Sequence, residues 1–134
     1  MRLLRFLLVA AVALTVTAPN AGAQMASRAA PRGTYVLMPD SGYAGPDISG
    51  FAVQFTADST LVVNSPDGSL IVKAKLTFAE GVLTINDLEG QSVCPSLGKY
   101  RVGGDDKVLK LKSIEDGCPD RAAIIDFIKF VRQG

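Results

Sequence analysis

The most constraining stretch of the chain is residues 91–121, a hairpin pattern that contains the only two cysteines, Cys94 and Cys118. Within it, residues 98–102 and 108–112 alternate apolar and charged side chains on either side of a Gly-Gly-Asp-Asp cluster. The strand period of two puts four apolar side chains on one face: Tyr100, Val102, Leu109 and Leu111. The stretch therefore predicts an antiparallel hairpin with one buried face.

The two cysteines lie almost symmetrically about the tip of this hairpin. Antiparallel pairing would bring them together at its open end, within the short distance that a disulfide requires. We therefore expect a Cys94–Cys118 bond, which by the loop-entropy relation stabilises the fold by about 3 to 4 kcal/mol. The alternative is two free buried thiols. We expect no metal site, because two distant thiols in a chain without histidine provide too few ligands.

The N-terminus has the three-part layout of a secretory signal peptide over residues 1–23. Arg2 and Arg5 precede an apolar run at residues 7–16, and small residues follow at 21–23, so we expect cleavage before Gln24. The apolar run is short for a membrane span, although an uncleaved anchor is the alternative reading. We expect an exported, periplasmic or secreted protein without stable membrane insertion after cleavage, in agreement with a disulfide.

Length and charge limit what the mature chain can be. After cleavage about 110 residues remain, which suits one domain at residues 33–134 behind a flexible leader at 24–32. Loss of Arg2 and Arg5 leaves 12 of the 14 basic residues against 13 acidic ones, a net charge near −1. This balance favours neither nucleic acid nor an anionic membrane as a partner, and we expect a monomer.

The remaining chain consists of short alternating runs separated by turn signals, giving about seven predicted strands before the C-terminal tail. The longest is residues 70–78, where one face carries Leu70, Val72, Ala74, Leu76 and Phe78. An earlier strand similarly turns Phe51, Val53 and Phe55 inward. No predicted strand has an ionisable residue at a clearly inward position, so we expect an interior that is apolar throughout.

The C-terminal tail permits two structures. Ile124, Phe127, Ile128 and Val131 have helical spacing, which allows one terminal helix. The alternative is a helical turn at residues 120–125 followed by a strand at 127–132 that pairs back and closes a barrel. We favour closure, because an open sheet leaves a bare edge that invites aggregation. The predicted fold class is all-β, an antiparallel up-and-down β-barrel of about eight strands with a short C-terminal helical turn.

The last forty or so residues resemble small secreted bacterial lipocalin-like (calycin-type) barrel domains. The resemblance rests on Gly98-Lys99-Tyr100, Leu109-Lys110-Leu111, the corner at residues 116–121, and the closing run with Phe130. Gly33-Thr34-Tyr35 is similar to the glycine-x-tryptophan opening of lipocalins, with tyrosine in place of tryptophan. Earlier residues match only in strand rhythm. The resemblance implies a barrel architecture and does not specify a ligand.

Several kinds of catalysis are excluded by residue types. Without histidine, the chain has no serine–histidine or cysteine–histidine pair. The acidic residues that fall in predicted turns are Asp58, Asp67, Glu80, Asp105 and Asp106. Turn aspartates usually accept backbone hydrogen bonds, so we assign them structural roles. Asp116 and Arg121 flank Cys118 and are predicted to form a structural ion pair, and we expect no cofactor.

The barrel interior remains as the candidate binding site. Its predicted members are Phe51, Phe55, Val72, Ala74, Leu76, Phe78, Tyr100 and Leu111. These side chains either fill a core or line a pocket for one small apolar molecule, since eight-stranded barrels do both, and Ala74 leaves room. Our leading hypothesis is a non-enzymatic binding module for a small hydrophobic ligand. The alternative is a protein-interaction module with a filled core that uses the loops at residues 39–49 and 88–95.

Overall fold

The computed structural model describes residues 29–134, so the predicted signal peptide and most of the leader lie outside the described residues. The elements in chain order are β1 (Gly33–Pro39), β2 (Ala52–Phe55), β3 (Thr60–Asn64), β4 (Leu70–Ala79), β5 (Val82–Glu89), β6 (Gly98–Gly104), β7 (Val108–Asp116), α1 (Pro119–Ile125) and β8 (Ile128–Arg132). Within this part of the chain, no helix has the length and apolar character needed to cross a membrane.

The strands form a closed antiparallel barrel in which each strand pairs with the next and β8 returns to β1. At the closure, Val36 lies opposite Val131 and Leu37 opposite Phe130. This confirms the predicted up-and-down barrel with a helical turn near the C-terminus. The tail forms a helical turn followed by a closing strand, and not one terminal helix: α1 ends at Ile125 and β8 begins at Ile128.

The barrel has two different ends. At one end, which we call the mouth, the longer connections lie together: residues 40–51, 65–69, 90–97 and 117–127, the last of which contains α1. At the other end, which we call the base, tight turns join the strands at residues 56–59, 80–81 and 105–107. Left-handed residues lie in or directly beside the base turns, including Glu80 with φ of 53° and Gly104, the last residue of β6, with φ of 90°. A Cβ on Gly104 would lie 2.0 Å from the Val108 carbonyl oxygen, so this turn requires glycine.

The turn aspartates accept hydrogen bonds from nearby donors. Asp105 Oδ1 accepts the backbone N–H groups of Lys107 and Val108 at 2.8 and 2.9 Å. Asp67 accepts the Ser65 hydroxyl and the Ser69 backbone N–H, and hydrogen bonds from these two serines lower the pKa of Asp67 to about 2. These carboxylates therefore stabilise turns, the role that their positions in the sequence predict.

Much of the barrel interior is filled by close-packed apolar side chains. Tyr35 and Phe130 each pack edge-on against Phe55, with ring centroids 5.5 and 6.0 Å apart. Val53 and Tyr100 have no exposed surface. Full burial of a large apolar side chain contributes about 1.5 to 3 kcal/mol, so this cluster accounts for much of the driving force for folding.

The expectation of an interior that is apolar throughout is wrong. β5 continues to Glu89, three residues beyond the end of the alternating run at residues 82–86, and so carries Asp87 into the structure with a side chain only 3% exposed. At the end of β7, the Asp116 side chain is 1% exposed. Buried carboxylates are costly unless they are paired, and both are paired with Arg121 of α1.

Candidate functional site

The mouth of the barrel contains a cavity of about 720 Å³. Its apolar walls are half-buried side chains from three strands or their flanks and from α1: Phe51, Val63, Ile71, Val72, Ile124 and Ile125. Its floor is formed by buried side chains of the core: Leu37, Val53, Leu61, Ile85, Ile128 and Phe130. The barrel is therefore filled towards its base and open towards its mouth.

The wall formed by β4 depends on irregular strand pairing. The β3–β4 register shifts at Val63/Asn64 and the β4–β5 register shifts at Lys73/Ala74. Both Ile71 and Val72 line the cavity, although adjacent residues of a regular strand point to opposite faces. A bulge bends a strand and re-aims its side chains, so the mouth end of β4 presents more apolar surface than its sequence alternation predicts.

One side of the cavity is covered by α1, which has no fully buried residue. Before its first residue, the disulfide of Cys94 and Cys118 joins it to the 90–97 connection, with the Cα atoms 6.4 Å apart. After its last residue, Asp126 accepts hydrogen bonds from the Ser113 backbone N–H and hydroxyl, both at 2.6 Å. The helix is thus held over the cavity at both ends by covalent and polar contacts, and the predicted disulfide is present.

A cluster of buried charges supports the N-terminal half of α1. Arg121 donates to Asp116 through Nε at 2.9 Å and Nη2 at 2.7 Å, and Nη2 also donates to the Ser96 carbonyl at 2.6 Å. Its Nη1 lies 3.1 Å from Asp87 Oδ2 as an ion pair without hydrogen-bond geometry. Asp87 Oδ2 in turn accepts the Cys94 backbone N–H at 3.0 Å. One guanidinium thereby connects β5, β7, α1 and the 90–97 connection.

Tyr100 and Gly98 complete this cluster. The Tyr100 hydroxyl donates to Asp116, and the Cys118 backbone N–H donates to the same carboxylate at 2.7 Å. A Cβ on Gly98 would lie 2.7 Å from Asp116 Oδ2 and 2.9 Å from Arg121 Nη2, so glycine leaves the space that the ion pair occupies. The glycine-x-tyrosine pattern of β6 therefore has a physical role in seating Arg121.

The charge states within the cluster follow from its contacts. Burial raises the pKa of Asp116, but the hydrogen bonds from Arg121, Tyr100 and the Cys118 amide outweigh burial and hold it below its usual value. The hydrogen bonds with Asp116 raise the pKa of Arg121. Burial and then the hydrogen bond to Asp116 raise the pKa of Tyr100. At neutral pH the cluster therefore holds ionised Asp116, ionised Arg121 and a neutral tyrosine.

The structure separates the eight predicted interior residues into two groups. Phe51 and Val72 line the cavity. The other six lie outside the lining, either in the buried core or packed against it: Phe55, Ala74, Leu76, Phe78, Tyr100 and Leu111. Ligand contact by these six stays a prediction. Ala74 in particular has no exposed surface and lies opposite Leu61 of β3 and Asp87 of β5.

Sequence reasoning missed most of the cavity lining, and three of the missed residues are informative: Asp87, Ile124 and Ile125. Asp87 lies just beyond the alternating run at residues 82–86, so its burial was not expected. Ile124 and Ile125 were assigned to a helical turn without a binding role, yet both line the cavity. The helical spacing of the tail was the available signal, because it turns Arg121, Ile124 and Ile125 towards the same side of α1.

The lining of the cavity is mainly apolar. Residues 29–134 contain no group of three or more side chains suited to hold a metal ion. The buried carboxylates are engaged by Arg121, and the walls and floor are predominantly aliphatic and aromatic. In comparisons with known proteins, no family model, curated protein or solved structure matches the chain.

Proposed function

We propose that this protein is an exported, non-enzymatic, lipocalin-like binding module that holds a small hydrophobic ligand in the cavity at the barrel mouth. The observation that carries the proposal is the cavity itself, about 720 Å³ with predominantly apolar walls and floor. Binding sites for small molecules typically have volumes of roughly 300 to 1,000 Å³ and a similar apolar lining. An apolar molecule of moderate size would fit this space.

The surroundings of the cavity also support a binding role. The floor belongs to the packed core and the covering helix is fixed at both ends, so the binding surface is largely formed before a ligand arrives. A preformed site loses little conformational entropy on binding. Export is supported by the disulfide, which persists in oxidising compartments, together with the signal-peptide pattern at residues 1–23.

A second candidate function is interaction with another protein through the mouth connections. It is favoured by three large apolar side chains exposed near the 90–97 connection: Leu88, Val93 and Leu97 are 55%, 42% and 53% exposed. Exposed apolar side chains that lie close together can mark an interaction surface. Val93 also lines the cavity, so one partner could cover both features.

Uptake of a neutral apolar fluorescent probe tests the leading proposal. We expect saturable one-to-one uptake that a long-chain alcohol displaces. Val72→Phe places a ring in the cavity, so uptake should fall at least tenfold with little change in stability. Ala74→Phe, two residues along the same strand, places the ring in the filled core and should cost about 1 to 3 kcal/mol. The unfolding midpoint and a probe titration are measured on both variants.

The outcomes distinguish the two candidate functions. No uptake by the parent protein, combined with recovery of a specific protein partner that Leu97→Asp abolishes, would replace the ligand proposal with the interaction proposal. Equal uptake by the parent and Val72→Phe would contradict the assignment of the mouth cavity as the site, even if the probe binds elsewhere.

A further inference from the structure

The charged residues around the mouth cavity are predominantly acidic. Asp47, Asp87 and Asp120 line it, and Arg121 is the one cationic side chain among the described lining residues. Arg121 is already neutralised by Asp87 and by Asp116, which lies just outside the lining. The mouth therefore presents an excess of negative charge to an entering molecule.

The two exposed carboxylates come from different segments of the mouth. Asp47 belongs to the 40–51 connection, and Asp120 belongs to the first turn of α1. Neither forms an ion pair within the described part of the chain. An incoming cation would consequently find two accessible carboxylates beside an apolar cavity.

Two aromatic residues, Tyr43 and Phe51, belong to the same 40–51 connection as Asp47. The Tyr43 hydroxyl donates to the Pro46 carbonyl at 2.6 Å, and burial followed by the charge of Asp47 raises the pKa of Tyr43. Phe51, at the end of the same connection, lines the cavity. Aromatic rings attract cations through their negative faces, so they add to the preference of the carboxylates for positive charge.

From this arrangement we infer that the cavity selects single-chain amphiphiles with a cationic head group, such as a primary alkylamine. The alkyl chain packs on the floor formed by Val53, Ile85 and Phe130, and the head group remains at the surface between Asp47 and Asp120. The inference rests on the proposed function and adds the chemical class of the ligand. Fatty-acid anions are the disfavoured class.

The buried arginine does not reverse this preference. A carboxylate ligand would need an available cation, but two nitrogens of Arg121 donate to Asp116 and the third nitrogen faces Asp87. Withdrawing Arg121 from these partners would leave buried carboxylates without a counter-ion, which is strongly unfavourable. An anionic head group would instead meet the like charges of Asp47 and Asp120.

The test compares three ligands that share one alkyl chain and differ in head group: decylamine, decanol and decanoate. Each displaces the neutral probe from the full-length exported protein at neutral pH, low ionic strength and concentrations below micelle formation. At neutral pH the amine is positive and the carboxylate negative. We expect the amine to bind most tightly and decanoate most weakly, and we expect salt to reduce the difference.

Charge-removing variants identify the residues responsible. Asp47→Asn and Asp120→Asn should each reduce the preference for decylamine over decanoate by about two- to fivefold, the usual effect of one exposed ion pair. Their control is Asp106→Asn, which removes the same charge from a base turn outside the cavity lining and should leave the preference unchanged. Decanol affinity should change little in all three variants, which shows that the cavity remains intact.

The failures of the two proposals are distinguishable. The cationic selectivity is wrong if decanoate binds as tightly as decylamine, or if the Asp47→Asn, Asp120→Asn double variant keeps an unchanged preference for decylamine. Either result would leave the proposed binding function unaffected. If neither the neutral probe nor any of the three alkyl ligands binds, both the proposed function and the inference are wrong.

Discussion

Replacing Arg121 with alanine would leave two buried carboxylates without their counter-ion. The Arg121 side chain is 12% exposed, and those of Asp87 and Asp116 are 3% and 1% exposed. Removing one partner of a buried ion pair typically costs about 3 to 5 kcal/mol, because the remaining charge stays out of water. This is a large share of the roughly 5 to 15 kcal/mol that holds a domain folded.

A matched control exists in the same barrel. Lys110 Nζ lies 2.7 Å from Asp40 Oδ2, the same distance that separates Arg121 Nη2 from Asp116 Oδ1. The Lys110 and Asp40 side chains are, however, 53% and 29% exposed. Because exposed pairs contribute at most about 1 kcal/mol, Lys110→Ala should be nearly neutral. Comparing the stability losses of Arg121→Ala and Lys110→Ala therefore tests the effect of burying the ion pair.

The pH dependence gives a second readout. In the parent protein the pKa of folded Asp116 is lowered, so its contribution is present above the ordinary aspartate pKa and is lost as pH falls through the lowered value. In Arg121→Ala, Asp116 stays buried but loses the hydrogen bonds from Arg121, which lower its pKa the most. The pKa of Asp116 in the folded variant therefore rises. The stability difference between parent and variant should therefore be largest at neutral pH and narrow as pH falls towards 4.

Urea unfolding followed by circular dichroism measures both effects, since the chain has no tryptophan to report by fluorescence. The measurements are made at neutral pH and near pH 4 with the disulfide intact. A loss below about 1 kcal/mol for Arg121→Ala, matching Lys110→Ala and independent of pH, would refute the buried-cluster reasoning. Adding Asp87→Asn and Asp116→Asn to Arg121→Ala should recover part of the loss, because no buried charge then remains unpaired.

Two further predictions concern the same corner of the barrel. Reduction of the Cys94–Cys118 disulfide should lower the free energy of unfolding by about 3 to 4 kcal/mol and the melting temperature by roughly 10 °C or more. Mass spectrometry of the exported protein should show a mass lower by two hydrogens than that of the reduced chain. Two free thiols would contradict the bond. Gly98→Ala should lower the free energy of unfolding in urea by about 1 to 3 kcal/mol, because its Cβ would overlap the ion pair. The control is Gly103→Ala on the same strand, whose Cβ would meet nothing closer than 3.9 Å and which should be nearly neutral. Equal effects of the two substitutions would refute the packing argument.

Much of the barrel was predictable because its signals are local. The alternation in residues 98–102 and 108–112 and the cysteines around them give β6, β7 and the disulfide without knowledge of the rest of the chain. The closing strand was predictable from a general cost, since an open sheet would leave a bare edge. In each case the controlling interaction is either a neighbour in sequence or a property shared by all sheets.

The division of the interior into core and cavity was not predictable in the same way. Strand alternation gave Val72 and Ala74 the same environment, yet one lines the cavity and the other is fully buried. The difference depends on how far each lies from the mouth and on register shifts in β4, which are set by pairing partners distant in sequence. Asp87 likewise becomes a buried ion-pair partner only when α1 returns Arg121 to it.

The pairing of β8 with β1 also determines when the domain can become complete. During synthesis the last five-residue strand emerges after all the others, so a chain that ends before Ile128 has β1 and β7 as uncovered edges. Such edges can pair with other chains. A barrel that lacks β8 would therefore be an open sheet prone to self-association, and the joining of the first strand to the last removes both of its edges.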